Sequence, residues 1–201
     1  MRATGSAASQ RIHWPRTLLT KQAAPLLAEH LRFHRQASES GLLHCLLLDC
    51  SGSMLKRSNL AMAKGLLLRW SEQIYRQREE LAVIAFSGNQ ACLLQRPQKA
   101  VAYNDAWIAA IGGGGGSPAV SGVQLAEQTL AKVRKAAPGK KIGLWLLSDG
   151  RFSQLPERPR HADFCVVVDF ENQRVPLGRA AQIARLWGAE HLRAVDLLGE
   201  Q

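Results

Sequence analysis

Three apolar runs each end at an aspartate, and amphipathic segments lie between them. Leu42-Leu-His-Cys-Leu-Leu-Leu48 is followed by Asp49, Lys141-Ile-Gly-Leu-Trp-Leu-Leu147 by Ser148-Asp149-Gly150, and Phe164-Cys-Val-Val-Val168 by Asp169. A continuous apolar run of this length reads as a strand buried on both faces. Leu81–Phe86 is a fourth such run, and Ser87-Gly-Asn-Gln90 can turn it into a hairpin with Ala91–Leu94. Helical stripes separate the strands: Leu60, Ala63, Leu67, Trp70 and Ile74, then Val123, Ala126, Leu130 and Val133. Pro138-Gly139 stops the second stripe. Pro176 opens a further helix to about Gly188, with Leu177, Ile183, Leu186 and Trp187 expected to face inward, and His191–Val195 reads as a short last strand.

Strands alternating with helices predict an α/β fold: a doubly wound, mainly parallel, Rossmann-like sheet with helices on both faces and one antiparallel edge strand. The predicted layout is a flexible tail over 1–10, an N-terminal helical extension over 11–40 interrupted at Pro25, and one domain over 41–198. Ligands of such sheets bind at the carboxyl ends of the strands, so the aspartates mark where chemistry is to be sought.

Composition narrows the function. The chain has 201 residues, 46% hydrophobic and 21% charged, the balance of an ordinary globular domain. No apolar run approaches the roughly 18 residues of a membrane span, and Met1–Gln10 has no apolar signal core. The expectation is a cytoplasmic protein that does not enter a membrane. Cys45, Cys50, Cys92 and Cys165 have no metal-ligand spacing and are expected reduced, with Cys45, Cys92 and Cys165 as small buried hydrophobes in strand-like runs. The six histidines are scattered; His30 and His34 are four apart but without the intervening glutamate of a zinc-protease helix.

The densest chemical signal is Asp49-Cys-Ser51-Gly-Ser53, between a buried strand and a helix. Alternating Asp, Ser and Ser can turn three oxygen-bearing side chains to one side of an extended loop. One carboxylate with hydroxyls suits a hard cation that keeps several waters, with Mg²⁺ the natural candidate. The alternative is a strand-to-helix turn whose serines are helix caps. Gly112–Gly116 followed by Ser117-Pro118 reads as a mobile loop offering another hydroxyl, and Asp149 offers a second carboxylate. If the first and fourth strands are adjacent, Asp49 and Asp149 sit side by side.

At these residues the sequence resembles the von Willebrand factor A, or integrin I, domain and its metal-ion-dependent adhesion site. More narrowly it resembles the carboxyl-terminal domain of the magnesium chelatase D subunit. The supporting stretches are Ile12–Leu18, Leu48–Met54, Ala61–Gly65, Ile84–Gly88, Leu147–Arg151 and Val168–Asn172. The resemblance implies a metal site of Asp49, Ser51, Ser53, Ser117 and Asp149, binding Mg²⁺ or Mn²⁺, with Asp149 acting directly or through water. Ser117 stands where the family usually has threonine, so the ligand lacks the methyl group that restricts χ1. A partner's carboxylate would complete the site. Such a site recognises proteins and is not a catalytic centre, so no catalytic residue is assigned.

The D subunit carries an ATPase-like region and an acidic, proline-rich linker ahead of this domain, and the sequence shows neither. Pro138-Gly-Lys-Lys141 lacks the upstream glycine and the Ser/Thr of a phosphate loop, so no nucleotide site is expected in this chain. The resemblance implies a non-catalytic accessory subunit of an ATP-dependent metal chelatase that loads Mg²⁺ or Co²⁺ into a tetrapyrrole, of the chlorophyll or cobalamin type. It would bridge an AAA+ ATPase and the large chelatase subunit. The alternative is an adaptor for a MoxR-type AAA+ chaperone in metalloenzyme or complex assembly. The formal charge of +10 also admits nucleic acid, but no stacking platform is visible and nucleic acid is not the expected partner. Arg151, Lys56, Arg57, Lys132, Lys135 and Lys140 are the residues expected to dock an acidic protein surface near the metal site.

Overall fold

The computed structural model describes residues 21, 25, 27–30, 41–102, 104–173 and 176–199. The chain divides into two units, residues 1–39 and 40–201. In the first, Ala28–His30 forms one 3₁₀ turn. The tail predicted over 1–10, most of the predicted 11–40 extension, Trp14-Pro15 and His34 lie outside the described residues.

The second unit is built on a six-stranded sheet of β1 (Leu42–Asp49), β2 (Glu80–Ser87), β3 (Gln90–Lys99), β4 (Lys141–Ser148), β5 (Phe164–Asp169) and β6 (Glu190–Arg193). The spatial order is β3-β2-β1-β4-β5-β6. All neighbours are parallel except the β2–β3 pair, so the predicted α/β fold with one antiparallel edge strand is the one observed. The helices are α1 (Asn59–Arg76), α2 (Asp105–Ala109), α3 (Ala119–Ala136), α4 (Arg179–Trp187) and α5 (Ala194–Gly199).

Strand side chains alternate between two cores because successive residues point to opposite faces. Leu43, Cys45 and Leu47 of β1 join Ile84, Phe86, Leu144, Leu146 and Val167 under Val123, Ala126 and Leu130 of α3 and Ile183 and Trp187 of α4. Leu46 and Leu48 join Leu81, Val83, Leu147, Val166 and Val168 under Leu60, Ala63, Leu67 and Ile74 of α1, with Ile108 of α2 and Ala194 of α5. Each of these leucine, isoleucine and phenylalanine side chains contributes about 1.5–3 kcal/mol by leaving water. Both faces are covered by helices, and the site lies at the carboxyl end of the sheet.

Five expectations change. The edge strand β3 runs on to Lys99, past Pro97. Its solvent-facing polar residues hid it, and an edge strand tolerates proline because one row of its backbone groups has no neighbour. The helix expected from Pro176 starts at Arg179, after Gly178 in the left-handed region (φ 65°). The Glu171 carboxylate takes the Leu177 and Gly178 N–H groups at 2.6 and 2.9 Å, closing a turn there instead. Leu177 and Leu186, expected inside, are 57% and 61% exposed, while Ile183 and Trp187 are buried. The last strand stops at Arg193, and residues 194–199 form α5. Finally, Cys92, expected buried, is exposed on β3, while Cys45, Cys50 and Cys165 are buried; all four are free thiols.

Candidate metal centre

Sheet register assembles the site. β1 and β4 pair with Leu48 opposite Leu147, so Asp49 lies beside Ser148 and the strands leave the sheet together into Cys50–Ser53 and Asp149–Arg151. On the other side Asp49 is opposite Phe86, and the Cys50 N–H extends that pairing to the Phe86 carbonyl at 2.9 Å.

The predicted oxygen donors meet in a hydrogen-bonded cluster. Asp49 is fully buried. Its Oδ1 accepts the Ser51 N–H at 2.9 Å, and its Oδ2 accepts the hydroxyls of Ser117 at 3.0 Å and Ser148 at 2.6 Å. Ser53 Oγ donates to Asp149 Oδ1 at 3.1 Å, and Arg151 N–H donates to the same oxygen at 3.2 Å. Ser51 Oγ lies 3.1 Å from Ser53 Oγ. The one Ser53 proton is directed to Asp149, so Ser51 donates within that pair. The helix-cap alternative is not what these serines do: the residues capping α1 and α3, Ser58 and Pro118, make no side-chain cap hydrogen bond, and Ser117 spends its hydroxyl on Asp49.

Ser148 is the member that sequence reasoning missed. It closes an apolar strand and reads as the first residue of a turn, yet it is buried, donates to Asp49 and accepts the Gly150 N–H at 3.0 Å. Its place directly before Asp149, on the strand expected beside β1, was the available signal.

The glycine run is anchored where a mobile loop was expected. Gly114 N–H donates to the Cys50 carbonyl at 2.8 Å, and Gly52 N–H to the Gly115 carbonyl at 2.9 Å. Gly115 has φ 71°, and a Cβ there would come within 2.8 Å of Gly88 Cα. Glycine permits both the left-handed backbone and the close approach, and this pinning delivers Ser117 to Asp49.

Electrostatics favour a cation. Burial raises the Asp49 pKa above the ordinary carboxylate value, only partly offset by hydrogen bonds from Ser148, Ser51 and Ser117. Among the described residues neither Asp49 nor Asp149 is in an ion pair with a cationic side chain. Two buried carboxylates without a counter-ion are costly. Hydroxyl and carboxylate oxygens form the hard donor set that Mg²⁺ takes, so the residues present fit the implied metal. The Cys50 thiol is no competitor: burial first, then the charge of Asp49, pushes its pKa up to about 12. Among the described residues no group of three or more His, Cys, Asp or Glu side chains is arranged to hold a metal; the cluster here is hydroxyl-rich, with two carboxylates. Asp169, the third strand-ending aspartate, works locally, accepting the Glu171 N–H at 2.7 Å and facing His191 Nε2 at 3.1 Å.

The basic residues expected to dock a partner divide between two ends of the sheet. Lys56, Arg57 and Arg151 line a cavity with Ser53 and Asp149. Lys132, Lys135 and Lys140 do not lie near the cluster. Lys140 immediately precedes β4, whose eight residues span about 23 Å before reaching Ser148. Lys132 and Lys135 lie in the last turns of α3, which leads to the same end. Lys140 is also taken, its ammonium 2.6 Å from Glu80 Oε1 and mostly covered.

No protein-family model matches the chain. An uncharacterized protein of Mycobacterium tuberculosis is 30% identical over 174 residues, covering 81% of this chain and 28% of that protein. The magnesium-chelatase 60 kDa subunit of Rhodobacter capsulatus is 29% identical over 122 residues, 61% of this chain and 21% of the subunit. The chain thus spans between a fifth and about three tenths of the length of these relatives. Among solved structures, the conserved hypothetical protein BatB of Bacteroides thetaiotaomicron superposes with a TM-score of 0.60 at 16% identity, covering 76% of this chain and 90% of BatB. No helix among the described residues is long and apolar enough to cross a membrane. The second unit shares the fold of BatB, and its sequence is similar to magnesium-chelatase subunits.

Proposed function

We propose that this unit is a von Willebrand factor A-type domain, a Mg²⁺-dependent protein-binding module serving an ATP-dependent metal chelatase, and that it does not itself insert the metal. The observation that carries the reading is the convergence of Asp49, Ser51, Ser53, Ser117 and Asp149 at the carboxyl edge of the sheet, with two buried carboxylates in no ion pair among the described residues. When bound, Mg²⁺ would supply a positive centre able to accept a carboxylate from another protein. The chain's own contribution is to hold its ligands: Ser148 and the Ser51 N–H fix the Asp49 carboxylate, the pinned glycine loop presents Ser117, and the Arg151 N–H orients Asp149. The likeness to magnesium-chelatase subunits supports the assembly. In it, a cytoplasmic AAA+ ATPase and the large chelatase subunit are the partners bridged, and Mg²⁺ or Co²⁺ is the cargo delivered to the tetrapyrrole.

The test is capture from native cytosol on the immobilised chain, in Mg²⁺ and in EDTA, with wild type, Asp49→Ala and Ser53→Ala. Circular dichroism verifies that each variant is folded. The expected result is recovery of an AAA+ ATPase and a large chelatase subunit, identified by mass spectrometry, from wild type in Mg²⁺ alone. Recovery unaffected by EDTA and by both substitutions would remove the metal cluster from the interaction.

A further inference from the structure

A surface cavity of about 290 Å³ opens beside the serine–aspartate cluster, walled by the residues that follow β1, β4 and β5. Lys56, Arg57 and Arg151 line it, alongside Ser53 and Asp149. Its two carboxylates are already engaged. Asp149 accepts from Ser53 and the Arg151 N–H, and Glu171 holds the Leu177 and Gly178 N–H groups. Three cations against two carboxylates leave the wall positive by one charge, and a divalent cation on the cluster would raise that to three.

The cations are positioned by neutral groups. Arg57 Nη1 donates to the Asn172 carbonyl at 2.7 Å and to its side-chain oxygen at 3.2 Å, and Arg151 Nη2 donates to Gln173 Oε1. Among the described residues Arg151 Nε is buried without a hydrogen-bond partner and Lys56 is in no ion pair. A buried donor without an acceptor is a cost that a ligand can remove. The volume leaves room for one acidic side chain.

We propose that this cavity takes a second carboxylate from the captured partner. The recognised segment is then acidic at two positions, one side chain directed to the metal cluster and the next to Lys56, Arg57 and Arg151. The inference rests on the metal-dependent reading above and adds the partner's chemistry to it. In an extended segment, side chains two residues apart lie on the same side, about 6.5–7 Å from each other. The cations share one cavity wall with Ser53 and Asp149 of the cluster, so the two carboxylates of the partner must lie close together. An aspartate followed two positions later by a glutamate fits this spacing.

The experiment uses the full chain and two blocked pentapeptides, titrated by NMR with Mg²⁺ and with EDTA. One peptide has a single aspartate among glycines; the other adds a glutamate two positions after it. With Mg²⁺ the two-carboxylate peptide is expected to bind about tenfold tighter, equivalent to about 1.4 kcal/mol. Lys56→Gln should cut the advantage to about threefold, Lys56→Arg should keep it, and Lys56→Gln with Arg151→Gln should abolish it. Mg²⁺-dependent binding of the single-aspartate peptide by each variant shows that the cluster is intact. If that binding depends on Mg²⁺ but the second carboxylate adds nothing, or its advantage survives the double substitution, this inference alone is overturned. If the single-aspartate peptide is indifferent to Mg²⁺, the metal-dependent reading fails and the inference falls with it.

Discussion

Ser148 donates a 2.6 Å hydrogen bond to Oδ2 of Asp49, joining the ends of β4 and β1 across 99 residues of sequence. The same hydroxyl accepts the Gly150 N–H, so its removal leaves a buried donor unsatisfied as well as a buried carboxylate with one bond fewer. Ser148→Ala should therefore destabilise the domain by about 1–3 kcal/mol. For a domain of this size that lowers Tm by roughly 3–10 °C. Thermal unfolding followed by circular dichroism measures it, and an unchanged Tm would show that the contact contributes nothing.

Gly115 and Gly112 belong to the same run, but only Gly115 should be sensitive to alanine. At Gly115 the left-handed backbone and the 2.8 Å approach of Gly88 both oppose a Cβ, whereas at Gly112 nothing lies within 4 Å. Gly115→Ala should cost about 1–2 kcal/mol or more, while Gly112→Ala should leave stability within about 0.5 kcal/mol of wild type. Chemical denaturation of the two variants compares them directly.

Ser117→Thr should tighten Mg²⁺ binding. The added methyl restricts χ1 and removes part of the rotamer entropy lost when the hydroxyl is fixed. A gain of about 0.5 kcal/mol from this source is about twofold in affinity. Isothermal titration with Mg²⁺ reads it out. Weaker binding by the threonine variant would mean that the methyl group does not fit against the pinned loop.

Asp163 should make the domain more acid-labile. Burial pushes its pKa up, but the Ile142 N–H at 2.6 Å and the Arg134 guanidinium at 2.9 Å outweigh it, and the net shift is downward. A carboxyl whose folded pKa lies below its unfolded value contributes stability above the unfolded pKa, near 3.9, and loses that contribution as pH falls through the folded value. Asp163→Asn should therefore be less stable than wild type at neutral pH, with the difference shrinking as the solution is acidified below about pH 4. Urea midpoints across that range test the sign. A gap that widens on acidification would overturn it.

The chain announced its strands because residues buried on both sides leave few polar interruptions: Leu42–Leu48, interrupted by His44 alone, and Phe164–Val168 needed no period to be recognised. The oxygen cluster was legible because Asp49, Ser51 and Ser53 alternate within five residues, and because Asp149 ends a strand that a doubly wound sheet can place beside β1. What the sequence hid has local causes. Leu186 looked internal, but at about 100° per residue it sits about 110° from the centre of the stripe formed by Ala180, Ile183, Ala184 and Trp187. Residues 194–199 offered too few turns to display a helical period. Lys140 looked like part of a free basic cluster because its partner, Glu80, lies 60 residues away in the chain.

The separations joined at the cluster are 68 residues from Asp49 to Ser117, 96 from Ser53 to Asp149 and 99 from Asp49 to Ser148. None of these contacts can exist before β1, β4 and the glycine loop are in register. A cation bound as proposed would find its full ligand set only in the finished domain and would act as a latch on the native state. Mg²⁺ should slow unfolding while leaving the refolding rate nearly unchanged.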